Sequence, residues 1–242
     1  ALFSIPLAII GLLDDKLNLS KLLRYTAQVI TLIMVLIFLN RQGIGIFYQN
    51  QSPYFLILII FLGSAIINFI NFMDGIDGLV CGCMIVIFTA LNTQFHYLMP
   101  LIGALTAFLY FNWSPSKIFM GDSGSLFLGS FLVSLLYSSE NTINLSKNIL
   151  LCSPLILDAF VCIVRRLLNK ENIFKSHKLH LYQRLVSNGF SHSKVSLIYI
   201  LSIIFLAVIY SFLEIKYLCV SVLLIVLIGL IVNQKYAVKI NN

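Results

Sequence analysis

Five aspartates, Asp14, Asp15, Asp74, Asp77 and Asp122, account for most of the nine acidic residues in a chain of 242. Each lies at the end of an apolar run, among Gly75, Gly78, Gly121 and Gly124 and near Asn68 and Asn71. Carboxylate and amide oxygens are hard donors. They suit Mg²⁺, which keeps several waters and takes one or two carboxylates together with substrate phosphates. In Asn68-Phe-Ile-Asn71-Phe-Met-Asp74-Gly-Ile-Asp77-Gly-Leu a polar residue recurs at every third position. At roughly 100° per residue, Asn68 and Asn71 share a helix face and Asp74 follows about a turn later. Gly75 and Gly78 let the backbone leave the helix. Asparagines inside an apolar run face a cavity or hydrogen-bond another helix, and both readings stand at this point.

The segment Phe119-Met-Gly121-Asp122-Ser123-Gly124-Ser125-Leu opens another apolar run. Asp or Ser in that place predicts an N-cap, and the free N–H groups of a helix start offer a seat for phosphate. A third segment, from Arg165-Arg166 through Lys175-Ser-His177-Lys-Leu-His180-Leu-Tyr-Gln183-Arg184, is basic. With two histidines three apart and no cysteine nearby, it reads as a basic lid for anionic phosphates rather than a zinc site. An ordinary basic loop at a membrane surface is the other reading. His96 and His192 have no such company and receive no role. Asp158, inside an apolar run, either approaches a cavity or is a buried acid paired for structure.

The elements that position these residues follow from composition. Apolar residues make up 60% of the chain and charged residues 10%, with a mean hydropathy of +0.98. A soluble domain carries about a quarter charged residues, so a water-solvated globule is excluded. The apolar runs do not alternate as barrel strands would. The fold class is all-α, a polytopic transmembrane helical protein. Spans are predicted near 22–39, 54–72, 79–92, 97–113, 124–138, 149–168, 195–213 and 216–232, about eight in all. Ala1 to Leu13 reads as a partial N-terminal helix, so residues 1–242 are expected to form a single integral-membrane domain lacking its first spans. Cys81, Cys83, Cys152, Cys162 and Cys219 are scattered through apolar sequence and read as small buried residues.

With Asp14 and Asp15 inside, thirteen Lys and Arg residues fall on the side of the five aspartates; Arg41, Lys147 and Lys216 fall on the other. That bias marks the aspartate side as cytoplasmic and accounts for the net charge of +7 without nucleic acid. Four polar segments far apart in sequence thereby reach one membrane surface.

Gly11-Leu-Leu-Asp14-Asp15, the Asn68 to Leu79 segment, Phe119-Met-Gly121-Asp122-Ser-Gly-Ser-Leu and His177-x-x-His180-Leu-Tyr-Gln183-Arg184-Leu, in this order, resemble the bacterial polyprenyl-phosphate N-acetylhexosamine-1-phosphate transferases. This is the family of WecA, WbpL and MraY, glycosyltransferase family 4, and the resemblance covers nearly the whole chain. It implies transfer of a sugar 1-phosphate from a UDP-N-acetylhexosamine to undecaprenyl phosphate at the bacterial inner membrane, with release of UMP. It implies that Asp122 holds Mg²⁺ with Asn71, Mn²⁺ being a substitute, and that Asp14 organises the lipid phosphate or acts as base, with Asp15 beside it. Asp74, Asp77 and Asn112 match positions of the nucleotide site, and Phe119 the position that stacks on uracil, while Asn68 and Asn71 are expected among the substrate-binding residues. His177, His180 and Arg184 match the loop that meets sugar and phosphates. Partners would be the two substrates and the bilayer, with a homodimer left open. His177-Lys-Leu-His180 departs from the adjacent histidines of the peptidoglycan branch. The wording is closer to the WbpL-like branch that starts O-antigen or capsule chains.

A transporter for a cation or a nucleotide sugar is the competing class. Transporter sites lie near the midplane on broken helices in repeated halves. Here the carboxylates lie at span ends and no internal repeat is visible.

Overall fold

The computed structural model describes residues 2–45, 52–172 and 178–238, and among these residues the regular secondary structure is all helical. After a short 3₁₀ turn at Leu2–Ser4, eleven α-helices follow among the described residues. They are α1 (Ile5–Leu17), α2 (Lys21–Arg41), α3 (Pro53–Met73), α4 (Leu79–Leu91), α5 (Met99–Asn112), α6 (Gly121–Tyr137), α7 (Thr142–Leu151), α8 (Ser153–Leu168), α9 (Leu181–Ser187), α10 (His192–Phe212) and α11 (Ile215–Tyr236). Local chemistry sets several starts. Ser20 caps α2 by accepting the Leu23 N–H, and Ser191 caps α10 by accepting that of Lys194. Prolines in the first turns of α1, α3, α5 and α8 occupy places where a missing N–H costs nothing.

All eight apolar runs become helix, but they differ in reach. Four helices, α2, α3, α10 and α11, have the length and hydropathy to cross a membrane. The run predicted at 149–168 breaks at Cys152, just before Pro154. The 13 residues of α4 extend roughly 20 Å at 1.5 Å per residue, short of a bilayer core of about 30 Å. It is apolar on every side because protein surrounds it: ten of its residues are buried. α5, with 14 residues, is similarly short. The chain is a multi-pass membrane protein, with four clear spans and shorter apolar helices among the described residues.

The fold divides into two compact units. The first comprises residues 1–74 and 120–149. Its core joins Leu7 of α1, Leu32, Val35 and Leu36 of α2, Ile59 and Ile67 of α3, and Leu126, Val133 and Tyr137 of α6. Small residues let these helices approach closely. A side chain at Gly63 would collide with the Tyr137 hydroxyl, which donates to the Ile59 carbonyl. One at Gly11 would meet the Asp122 backbone. The second unit comprises residues 75–119 and 150–242. There α4 packs on α5 and α10, and Ile200 of α10 fills the space beside Gly82.

Candidate active site

In the first unit the end of α1, the start of α2, the end of α3 and the start of α6 bring four polar groups together. Asp14, in the last turn of α1, accepts the Leu19 N–H at 2.7 Å through one carboxylate oxygen. Its other oxygen lies 2.6 Å from Nη1 of Arg24. The same Nη1 lies 3.1 Å from Oδ2 of Asp122. Asn71 completes the arrangement: its amide donates to Asp122 Oδ1 at 2.9 Å and to Ser125 Oγ at 2.9 Å. Asp122 is thereby fixed on both oxygens, by Arg24 and by Asn71.

The start of α6 differs from the sequence reading. The helix begins at Gly121, whose φ of +65° a glycine adopts without strain, so Asp122 stands inside the first turn rather than capping it. The cap comes from α1, where an Asp15 carboxylate oxygen accepts the Asp122 N–H at 3.2 Å. A side chain at Gly121 would meet the other oxygen of Asp15. Two adjacent aspartates therefore take separate tasks, Asp14 on Arg24 and Asp15 on the α6 backbone. Asp74 caps the end of α3 by donating its N–H to the Asn71 carbonyl at 3.2 Å. Burial, then the charges of Asp122 and Asp15, hold its carboxyl well above the ordinary carboxylate range.

Asn68 turns elsewhere. Its amide donates to Gln28 Oε1 and to the Ser64 carbonyl and accepts from Gln28 Nε2, while Ser64 also donates to Gln28. That network ties α2 to α3 one turn below Asn71.

In the second unit Asp77 is the hub. Ser116 donates its hydroxyl to Asp77 Oδ1 at 2.8 Å and its N–H to Oδ2 at 3.4 Å. Nδ1 of His192 lies 3.2 Å from Oδ2, and Ser196 donates to the Asp77 carbonyl at 2.7 Å. Burial pushes the Asp77 carboxyl up, but the bonds from Ser116 and His192 outweigh it and hold the carboxyl below its usual value. Next to it, Asn112 accepts the Gly78 N–H and donates to the Ile118 carbonyl, so it braces the turn and the 113–119 loop together. Phe119, at the end of that loop, is 76% exposed and presents a free ring face.

His180 and Arg184 are both buried. His180 stands at the N-cap of α9, its N–H donated to Gln183, and burial holds its imidazole below its ordinary value, which favours the neutral ring. Arg184 donates to the Val238 carbonyl at 2.8 Å and to Asn233 at 2.6 Å, fastening α9 to the end of α11. His177 lies outside the described residues.

Sequence reasoning passed over Arg24, Ser116 and His192. Arg24 had a signal: it sits one turn after the Ser20 cap of a span that begins just past the Asp14-Asp15 pair. The other two sit beside Asp77 only through packing. Among the described residues no three His, Cys, Asp or Glu side chains are gathered to hold a metal by themselves.

The profile of "Glycosyl transferase family 4" matches residues 1–140. The chain is 31% identical over 222 residues to the "Probable undecaprenyl-phosphate N-acetylglucosaminyl 1-phosphate transferase" of Bacillus subtilis, covering 81% of this chain and 60% of the relative. It is 31% identical over 230 residues to the "Decaprenyl-phosphate N-acetylglucosaminephosphotransferase" of Mycobacterium tuberculosis, covering 78% and 56%. With the "Phospho-N-acetylmuramoyl-pentapeptide-transferase" of Petrotoga mobilis it shares 34% identity over 184 residues, covering 67% and 57%. The chain thus spans less than two thirds of the length of these relatives.

Proposed function

Since the chain belongs to glycosyl transferase family 4, we propose that it moves an N-acetylhexosamine 1-phosphate from a UDP-sugar to undecaprenyl phosphate. An oxygen of the lipid phosphate bonds to the sugar-bearing phosphorus, the bond from that phosphorus to the UMP oxygen breaks, and UMP leaves with the electron pair. The names of the Bacillus and Mycobacterium relatives favour N-acetylglucosamine as the sugar. One observation carries this reading: Asp14, Arg24, Asn71 and Asp122, from four separate helices, meet within hydrogen-bonding distance in the unit that the family profile covers most fully.

The reaction joins two anions, so its site must neutralise charge and hold an in-line geometry. Arg24 is the cation that this arrangement provides. Phosphate monoesters are already largely ionised near neutrality, their second pKa being about 6. A strong base is therefore unnecessary, and Asp14, held by Leu19 and Arg24, serves to position. Phe119 offers its exposed ring to the uracil. Asp77, kept ionised by Ser116 and His192, accepts hydrogen bonds from the nucleotide-sugar.

The donor set fits Mg²⁺. Asp122 and Asp15 press their charge on Asp74, and a cation among these oxygens relieves that repulsion. Mg²⁺ asks for only one or two carboxylates, so a gathered triad is unnecessary. Asp122 would hold it, with Asn71 orienting Asp122 through its amide N–H. The ion would supply charge neutralisation on the transferring phosphates. The excess of basic residues on the aspartate side supports a cytoplasmic face of the inner membrane.

The test is UMP release from membranes holding the gene product, supplied with undecaprenyl phosphate, Mg²⁺ and a panel of UDP-N-acetylhexosamines. Lipid-dependent release establishes the reaction and names the sugar. No release from inserted, folded protein with any of them overturns it.

A further inference from the structure

Asp158 belongs to none of the motifs that carry the chemistry, yet its surroundings are unusually complete for an acid within an apolar helix. Its side chain on α8 is 6% exposed. It accepts the backbone N–H of Leu181 at 2.8 Å and of Tyr182 at 3.3 Å, the first two residues of α9. From α10 the Tyr199 hydroxyl donates to it at 2.6 Å. All three hydrogen-bond partners are donors, and Nδ1 of His180 lies 3.9 Å from the same carboxylate. A carboxylate accepts from all three donors, whereas an asparagine would turn an N–H toward a donor.

What Asp158 holds in place is the start of α9, and with it Tyr182. That side chain is fully buried. Its hydroxyl stands where a Cβ on Gly75 would have to sit. Gly75 has no left-handed backbone to excuse its lack of a side chain, so Tyr182 is the reason for it. Two residues on comes Asp77, and the turn closes at Gly78, whose φ is +73°. The line runs from Asp158 through the Tyr182 backbone to the Tyr182 ring, then to Gly75 and the turn that carries Asp77.

We infer that Asp158 and Tyr182 form a buttress that sets the Gly75–Gly78 turn, which makes Asp158 a positioning residue for the nucleotide-sugar. It touches no substrate. It fixes α9, and α9 fixes the place of Asp77. The assignment to the nucleotide-sugar rests on the transferase reading; the mechanical link does not.

The experiment has two readouts. In UMP-release kinetics, Asp158→Asn and the milder Tyr199→Phe should raise KM for the UDP-sugar, the former by roughly tenfold, as expected for loss of a hydrogen bond to a charged group. KM for undecaprenyl phosphate should stay where it is. Gly75→Ala should raise the same KM, and Tyr182→Phe in the same chain, by removing the hydroxyl in the way, should bring it back to within about twofold of wild type. A purely structural role would instead lower the amount of active protein and leave both KM values alone, and that result overturns the proposal. So does a Gly75→Ala defect that Tyr182→Phe fails to relieve. Amide exchange gives the second readout. Asp158→Asn should speed exchange in the Gly75–Gly78 segment, and unchanged exchange there refutes the buttress. If wild type releases no UMP while exchange responds as expected, the transferase reading falls and the buttress stands.

Discussion

Nη1 of Arg24 lies 3.1 Å from Oδ2 of Asp122, two residues 98 positions apart in sequence. The same nitrogen also holds Asp14, so one guanidinium separates two carboxylates that would otherwise repel each other. The start of α2 is thereby bound to the start of α6. Removing the cation leaves a partly buried negative pair without its partner, a change that costs more than the pair itself contributes.

Arg24→Ala should therefore lower kcat/KM by about two orders of magnitude, in line with a charge-assisted bond to each carboxylate. Arg24→Lys keeps the charge but as a single point on a flexible stem, and should recover part of the loss. UMP-release kinetics on both variants measure this. Equal activity in Arg24→Ala and wild type would remove Arg24 from the site.

Asp122→Asn should abolish Mg²⁺-dependent turnover while the protein still inserts and folds. Arg24 and Asn71 would both face an amide, and one of Asp122's two accepted bonds would become a donor–donor clash. The check is a titration of activity against Mg²⁺ together with melting in detergent. Full activity at any Mg²⁺ concentration sinks the metal assignment.

Much of this arrangement was legible in the residues. The three-residue recurrence from Asn68 to Asp77 placed a polar face at the end of α3, and Asn71 and Asp74 lie there. The partners were not legible, because they are long-range. Asn68 and Asn71 are indistinguishable by spacing, yet Asn68 meets Gln28 from α2 while Asn71 meets Asp122 from α6. The residues at the start of α6 predict a cap from a local Asp or Ser, whereas Asp15 of α1, 107 residues away, accepts the Asp122 N–H. Which of the apolar helices face lipid was not legible for a different reason. Hydropathy reports that a helix avoids water, and α4, enclosed by protein, is as apolar as one that faces lipid.

Asn68→Leu should act on stability rather than on substrate. Its amide is engaged by Gln28 and Ser64, and interhelical hydrogen bonds in membranes contribute roughly 0.6 kcal/mol each. Leucine also leaves Gln28 short of partners. A fall of a few degrees in the detergent melting temperature is expected, with KM for both substrates unchanged. A selective rise in KM for the UDP-sugar would instead put Asn68 in contact with substrate.

Phe119→Ala should raise KM for the UDP-sugar by about tenfold and leave kcat nearly unchanged. Base–aromatic stacking is worth about 1–3 kcal/mol and acts on the ground state as much as on the transition state. A ring that is 76% exposed gives up little packing when removed, so melting should not move. An unchanged KM would exclude Phe119 from the nucleotide site.

Asp74 and Asp77, three residues apart, should pull stability in opposite directions with pH. The Asp77 carboxyl, acidified in the fold by Ser116 and His192, stabilises above the unfolded value of about 3.9. That contribution is lost as pH falls through its lower folded value. Asp74 is raised by burial and by Asp122 and Asp15. Below about pH 3.9 it is protonated in both states and costs nothing. As pH rises toward its folded value the unfolded chain loses the proton first, and stability falls. Without Mg²⁺, Asp74→Asn should therefore raise the melting temperature at pH 7 and have little effect near pH 3.5, while Asp77→Asn should lower it at pH 7. Melting of both variants in detergent across that range tests the signs. A destabilised Asp74→Asn at neutral pH would mean that its carboxylate is paired with a cation in the folded protein rather than merely crowded by its neighbours.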